Sequence, residues 1–297
     1  MTGNSPITVN INISLLAAAA LCLVPVVLVV LRIRQRMTDV RSRSEHPFKE
    51  LRRRPAGETL RMKIVELDEQ INDRIYLLVS VPSVLAATMI ALNPLGLVAA
   101  ALLVVLSVSW TFVIQKKLWS LLNMRRNYQL GFDGERYVAE ELSRLIAKGF
   151  EIYHDVPFDN FNVDHVLVGP QGVFAIECKA KRKPIGEDGR KKAEIIFDGT
   201  NLHLPWGAEY RDIQQAYNNA ETLSKWLTSA VGSRVTVSPI LTLPGWFIHR
   251  KASDTRVRVL NPNEIFYIFD SNEVKLEPSH IKQICHHLDE QCRIEII

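Results

Sequence analysis

The sequence has few cysteines, little net charge and no recognisable motif for reading a nucleotide sequence, and each absence excludes some classes of function. The four cysteines are too scattered for a disulfide framework, which favours a reducing compartment for any soluble part. Cys285 and Cys292 lack the paired spacing of a zinc site, so we interpret both as core-facing residues of a C-terminal helix. The net charge of +4 is a weak indication of a polyanionic partner, and no RNA module or helix-turn-helix is visible. The cysteines are Cys22, Cys178, Cys285 and Cys292.

Charged residues are missing from two long stretches. Residues 13–31 can cross a hydrocarbon core, and Pro25 is tolerable in such a span. A cleaved signal peptide is the alternative, but no Lys or Arg precedes the run. Residues 75–114 are about twice the length of one span and are broken at 93–96 by Asn-Pro-Leu-Gly. The sequence therefore predicts three transmembrane helices, the last two forming a hairpin.

The distribution of Lys and Arg predicts how these helices are oriented. Nine basic and three acidic residues lie between 32 and 54, whereas 1–12 carry no charge. The positive-inside rule then places 1–12 outside as a tail and 32–74 inside as a basic cytoplasmic segment. It also places 115–297 inside, with 115–130 as a linker and 131–297 as a soluble domain. We expect a multi-pass inner-membrane protein whose basic segment contacts anionic lipid, although that segment could alternatively grip nucleic acid.

The soluble part alternates short apolar runs with helical patterns. A helix is predicted from Gly131, with Asp133 as N-cap and Gly149 as the stop, and Glu135 lies on its inward stripe. Further helices are predicted near 208–229 and 278–290, and this alternation indicates a mixed α/β sandwich. Strands are predicted at 152–156, 163–169, 172–179, 193–198, 235–241 and 255–260.

The two strands around Gly169-Pro170-Gln171-Gly172 carry charged residues where a core is expected. A two-residue loop pairs residues whose numbers sum to 341, which places Asp164 opposite Glu177 and puts Lys179 on the same face. A three-residue loop with a bulge would instead move Cys178 opposite Asp164. Opposed carboxylates repel each other unless a cation lies between them.

Two explanations of this pair stay open from the residues alone. A divalent cation such as Mg²⁺ binds one or two carboxylates while keeping waters and phosphate oxygens, and a lysine beside it can orient an attacking water. This combination would suit phosphodiester cleavage. Alternatively, Lys179 alone could bridge Asp164 and Glu177 without any metal.

The hairpin, "GFDGERYVAEEL" and "QQAYNNAETL" together resemble the nuclease-related domain (NERD) family of the PD-(D/E)XK nuclease superfamily. The resemblance covers about 128–265, and Val163 stands where proline would precede the acid. It implies a restriction-endonuclease-like α/β fold, a mixed sheet flanked by helices, and Mg²⁺- or Mn²⁺-dependent hydrolysis of nucleic acid, with DNA favoured. It also implies that Asp164, Glu177 and the Cys178 backbone carbonyl bind the metal.

The same resemblance assigns three more residues and a loop. Lys179 matches the catalytic lysine, Glu135 the acid on the first helix that supports the metal, and Gln215 a helix position that completes the site. Asn219 shares a helix face with Gln215. The loop after the hairpin would contact the phosphate backbone, or would alternatively be a solvated polar loop. Its basic residues are Lys181, Arg182, Lys183, Arg190, Lys191 and Lys192.

Two other functions are compatible with the same sequence. One is a membrane-anchored nucleic-acid-binding or signalling module that does not cleave. The other is a scaffold in which small residues in the spans, at 17–20 and 99–101, allow helices to approach closely. No particular homo-oligomer or membrane partner is indicated.

Overall fold

The structure is a computed structural model, and it describes residues 52–91, 97–159, 161–185, 193–269 and 274–294. These residues fall into two compact units. One unit covers 66–124, and the other combines 52–65 with 125–294. The second unit is therefore discontinuous in sequence, which the predicted domain boundaries did not anticipate.

Two long helices each contribute residues to both units. Helix α1 covers Glu58–Ala91 and contains Pro82, and helix α2 covers Leu97–Ser143. The segment predicted as a linker, 115–130, is part of α2. The helix predicted to start beside Asp133 is also part of α2, so this N-cap is wrong: the helix had already begun and simply continues through both glycines.

The prediction of three transmembrane helices is supported only in part. Within the described residues, one helical stretch, Val98–Lys148, is long and apolar enough to cross a membrane. Only 6% of its apolar 18-residue segment is buried against the rest of the protein. The apolar part of α1 begins at Ile75 and its described part ends at Ala91, which is short of a full span. The predicted first span, 13–31, lies outside the described residues.

A five-stranded mixed sheet forms the centre of the second unit. Its order is β10-β8-β4-β3-β2, with β2, β3 and β4 antiparallel and β4, β8 and β10 parallel. Buried side chains cover both faces, as expected for a sheet enclosed by helices. The strands are β2 Glu151–Pro157, β3 Asn162–Gly169, β4 Gly172–Cys178, β8 Val237–Thr242 and β10 Arg258–Leu260.

A second sheet of four short strands has the order β7-β6-β5-β9. Its apolar side chains pack with those of helix α3, Arg211–Val231, around the fully buried Trp246. The strand near 193–198 was predicted, whereas the other three were not. The strands are β5 Glu194–Phe197, β6 Leu202–Leu204, β7 Gly207–Glu209 and β9 Phe247–Arg250.

The remaining elements close the second unit. A 3₁₀ turn at Arg144–Lys148 ends at Gly149, in the left-handed conformation predicted for a helix stop. The C-terminal helix α5, Pro278–Gln291, packs on the central sheet, with Cys292 buried and Cys285 against the same core, as predicted. A short α4, Ile265–Ile268, follows a 3₁₀ turn at Pro262–Glu264, and β1, Arg52–Arg53, pairs with β11, Arg293–Ile294.

Candidate active site

The β3–β4 hairpin has the register predicted from the sequence. Val166 pairs with Ala175 and Val168 with Val173, so the loop contains two residues and the bulged alternative is excluded. Asp164 and Glu177 are the next facing positions beyond the last pair, His165 with Ile176. The backbone N–H of Cys178 donates to Asp164 Oδ2 at 2.7 Å, which closes this end of the hairpin.

Lys179 follows β4 directly and reaches the Glu177 carboxylate. Its Nζ lies 2.8 Å from Glu177 Oε1, with the lysine side chain 25% exposed and the glutamate 3%. Its backbone N–H donates to the carbonyl of Thr242 at 2.9 Å, and the Thr242 hydroxyl donates to the carbonyl of Glu177 at 3.1 Å. The adjoining strand β8 therefore fixes the backbone on which both charged side chains stand.

Helix α3 contributes two amides to the same glutamate. Gln215 Nε2 donates to Glu177 Oε1 at 2.7 Å, and Asn219 Nδ2 donates to Oε2 at 2.8 Å. The two residues are four apart and so share a helix face, as predicted. Asn219 is buried and Gln215 is exposed, so Gln215 stands at the solvent side of the group.

Glu135 approaches the group from helix α2 and is 8% exposed. The backbone N–H of Gly57 lies near its carboxylate and acts to lower the pKa. Gly134, the preceding residue, allows α2 to lie close to the end of β4, since a Cβ there would stand 2.6 Å from the Cβ of Ala180. The structure thus brings Glu135, Asp164, Glu177, Lys179 and Gln215 together.

Burial is the largest cause that raises the pKa of all three carboxyl groups, and a neighbouring carboxylate raises each further. The pKa of Glu135 rises to about 8, first through burial and then through the charges of Asp155 and Glu177. Burial, followed by the charges of Glu177 and Glu135, raises the pKa of Asp164 well above its usual range. Burial also raises the pKa of Glu177, although Lys179 acts in the opposite direction. A cation bound beside these carboxyl groups would favour their charged forms and lower their pKa values.

The carboxylates retain the capacity to bind a cation. Each carboxylate has about four lone-pair directions. Lys179 and Gln215 use two at Glu177 Oε1, whereas Oε2 accepts only from Asn219. Within the described residues, no cluster of three or more histidine, cysteine, aspartate or glutamate side chains already has the spacing of a metal site. A hydrated ion that needs only one or two carboxylates fits this donor set better than a fully protein-bound ion.

The basic loop after the hairpin is described only as far as Ile185. Lys181 forms ion pairs with Glu209 at 2.8 Å and Asp212 at 2.7 Å. Arg182 donates to the carbonyl of Arg126, and the Nζ of Lys183 lies 5.9 Å from the ring centroid of Trp246. The three remaining basic residues of the predicted contact set, Arg190, Lys191 and Lys192, lie outside the described residues.

Sequence reasoning missed three residues that lie near the site but outside the predicted set, namely Gly57, Asp155 and Thr242. Nothing in the sequence connects Gly57 with Glu135, because they are separated by a long apolar region and the contact uses a backbone amide. Asp155 was also missed, although its φ of 49° marks an unusual backbone for a non-glycine residue. The role of Thr242 depends on the parallel pairing of β4 with β8, which local pattern does not specify.

Comparison with known proteins agrees with the family resemblance. Searches of curated proteins and of solved structures give no significant match. The family model described as the nuclease-related domain, NERD, matches residues 130–244, a range that includes Glu135, Asp164, Glu177, Lys179 and Gln215. The chain therefore contains a nuclease-related domain at residues 130–244.

Proposed function

We propose that this chain is a membrane-anchored, metal-dependent nuclease that hydrolyses phosphodiester bonds of nucleic acid, with DNA as the favoured substrate. The observation that carries the proposal is the cluster of three mutually interacting carboxylates, Glu135, Asp164 and Glu177, within the nuclease-related domain, with Lys179 Nζ 2.8 Å from Glu177. Repulsion among carboxylates at this density is relieved by a cation, and Mg²⁺ or Mn²⁺ suits their oxygen atoms.

Each residue has a separate role in this proposal. Asp164, Glu177 and the Cys178 carbonyl would hold the metal, and Glu135 would support it. When bound, the metal stabilises charge on the phosphate and lowers the pKa of a water. Lys179 orients the attacking water and stabilises the negative charge that develops on the phosphate oxygens. Gln215 and Asn219 keep the Glu177 carboxylate in one orientation. These are charge and position roles, which phosphodiester hydrolysis requires.

The basic loop supplies non-specific phosphate contacts in this proposal. Lys181 is the least suited of the six basic residues, because Glu209 and Asp212 already neutralise its charge. Arg182 donates to a backbone carbonyl, that of Arg126, and Lys183 lies near the ring of Trp246, while Arg190, Lys191 and Lys192 follow in the sequence. Contacts of this kind make binding weaken steeply with salt and show little sequence preference.

The membrane assignment is also part of the proposal. The helical stretch Val98–Lys148 supplies one candidate span, and the predicted spans at 13–31 and 75–92 would supply the others. The charge-free 1–12 segment and the basic residues that follow each apolar run favour placing the nuclease domain on the cytoplasmic face. Basic residues near the bilayer also favour contact with anionic lipid.

A second function is favoured by one specific observation. Both oxygens of Glu177 already accept hydrogen bonds from the chain's own lysine and amide groups, so the site is satisfied to a large degree without a cation. This supports a nucleic-acid-binding or signalling module that does not cleave. Binding that persists in EDTA without any metal-stimulated cutting distinguishes this module from the nuclease.

The test uses the full chain purified in detergent. Plasmid DNA, single-stranded DNA and RNA are incubated with Mg²⁺, Mn²⁺ or EDTA, beside Lys179→Ala and the control Lys225→Ala, an exposed lysine on α3. We expect cleavage that needs the metal, is lost in Lys179→Ala and is unchanged in Lys225→Ala. Equal cleavage by the two variants would show a contaminant or a different site. No cleavage of any substrate by folded protein would favour the binding module.

A further inference from the structure

Residues 52–59 belong to the nuclease unit although a long apolar region separates them from it in sequence. Arg52 and Arg53 form β1, which pairs with β11 at the other end of the domain, and α1 begins at Glu58. We call residues 54–59 the tether. It runs from the β1–β11 pair to the neighbourhood of Glu135, so it connects two regions of the unit that are far apart in sequence.

A buried carboxylate anchors the tether. Asp155 is 3% exposed, and its Oδ2 accepts from Arg54 Nη2, Thr59 N and Thr59 Oγ1, each at 2.8 Å. Its Oδ1 accepts from Asn162 Nδ2 at 2.7 Å. A buried carboxylate must be paired and hydrogen-bonded, so these contacts hold both ends of the tether in one conformation.

The middle of the tether touches the candidate metal site. The Gly57 N–H lies near the Glu135 carboxylate, whose pKa it acts to lower, and Gly57 adopts a φ of +74°. A Cβ at Gly57 would lie 2.6 Å from the ring of Phe132, one helical turn before Glu135. Only glycine combines this conformation with this close approach, so the amide is directed at Glu135 by the local backbone.

We propose that the tether is a positioning element for Glu135 and that Arg54 and Asp155 are positioning residues of the site. The inference rests on the proposed function, because it concerns an acid assigned there to metal support. The close packing of Gly57 on Phe132 fixes the turn of α2 that carries Glu135, and such outer contacts commonly tune metal affinity. Arg54 and Asp155 contact neither metal nor substrate in this arrangement. They act by holding the tether, and the Asp155 charge also raises the pKa of Glu135.

A merely structural role for this region predicts a different pattern. Arg53 also joins distant parts of the domain, through ion pairs with Asp289 at 2.7 Å and Glu151 at 2.9 Å. Its side chain is 45% exposed and it lies outside the tether. Loss of Arg53 and loss of Arg54 each remove ion pairs between distant segments, but only Arg54 holds the Asp155 network. Arg53→Ala is therefore the matched control.

The experiment compares wild type, Arg54→Ala, Asp155→Asn and Arg53→Ala as full chains in detergent. Asparagine tolerates positive φ, so Asp155→Asn removes the charge without straining the backbone. Mg²⁺ and Mn²⁺ binding is measured by calorimetry, and backbone amide exchange of the 55–60 peptide by mass spectrometry. Thermal unfolding shows that each variant is folded.

We expect Arg54→Ala and Asp155→Asn to bind the metal about 10-fold more weakly than wild type and to exchange faster at 55–60. Arg53→Ala should match wild type in both measurements. Equal metal affinity in all four proteins would overturn the inference. An equal loss in Arg53→Ala would also overturn it, because the effect would then follow general destabilisation.

A further variant separates this inference from the proposed function. If wild type binds no metal, the proposed function fails, and exchange in Glu135→Ala then decides whether the tether is coupled to Glu135. Faster exchange at 55–60 in this variant, with the rest of the domain unchanged, would still support the coupling. Unchanged exchange would exclude it.

Discussion

Gly134 offers a test of how closely helix α2 must approach the end of β4. Replacing glycine by alanine inside a helix normally stabilises it by about 0.5–1 kcal/mol. At Gly134, however, the new Cβ would lie 2.6 Å from the Cβ of Ala180 and 3.4 Å from Sγ of Cys178. Overpacking of this kind costs about 1–3 kcal/mol, so Gly134→Ala should be destabilised by up to about 2 kcal/mol.

Gly131 on the same helix provides the matched control. A Cβ there would lie 3.0 Å from Cδ1 of Leu60, the end of a flexible side chain that can move. Gly131→Ala should therefore keep most of the helical gain, and the two variants should differ by about 1–3 kcal/mol. Thermal unfolding of the full chains, followed by tryptophan fluorescence, measures this difference.

The Gly134→Ala substitution should also change the candidate site. Moving α2 away from β4 displaces Glu135 from Glu177, so metal-dependent cleavage by Gly134→Ala should fall by about 10-fold or more. Gly131→Ala should cleave as wild type does. Stabilisation of Gly134→Ala equal to that of Gly131→Ala, with full activity, would show that the close approach is not needed and would refute this reasoning.

Two further predictions concern buried polar groups. Asn219→Ala removes the donor to Glu177 Oε2 and should lower the free energy of unfolding by about 1–3 kcal/mol in urea titrations. Asn218 is exposed on the same helix, so Asn218→Ala should change it by less than about 0.5 kcal/mol. Similar losses in the two variants would contradict this prediction. His154 and His165 share an Nδ1–Nδ1 hydrogen bond of 2.8 Å, and burial lowers the pKa of both, that of His154 from 6.5 to about 4. Between pH 4 and pH 6.5 the unfolded chain therefore binds more protons than the folded chain. The free energy of unfolding has its full value above pH 6.5 and falls as the pH drops towards 4. His154→Gln should lose less stability than wild type between pH 7 and 5, and an equal loss would refute the assignment.

The sequence was most informative where a local pattern determines the geometry. The two-residue loop and the alternation of side chains placed Asp164, Glu177 and Lys179 on one face of the hairpin, whereas Gln215 was assigned to the site by the family resemblance. Gly149 was also correctly predicted as a helix stop, because only a left-handed residue closes that turn readily. In each case the determining contacts lie within a few residues or across one hairpin.

Prediction failed where tertiary contacts override local preference. Glycines and Asp133 suggested a helix start near 131, but α2 was already helical and had only to continue. Three strands of the second sheet contain only three or four residues each, which is too short to show a period. The tether could not be found at all, because its contacts join residues about a hundred positions apart.

The second unit is discontinuous in sequence, and this determines which form of the protein can test the proposed function. A fragment beginning near 115 keeps every residue of the central motif but removes Arg54, Gly57 and Thr59. Of the hydrogen bonds described for Asp155, the one from Asn162 would then remain, and the two from Arg54, which form its ion pair, and the two from Thr59 would be lost, although its buried position requires them. Glu135 would lose the nearby Gly57 N–H in the same truncation. Inactivity of such a fragment would therefore reflect the missing tether as readily as the absence of a nuclease, so activity has to be measured on a chain that includes residues 52–65.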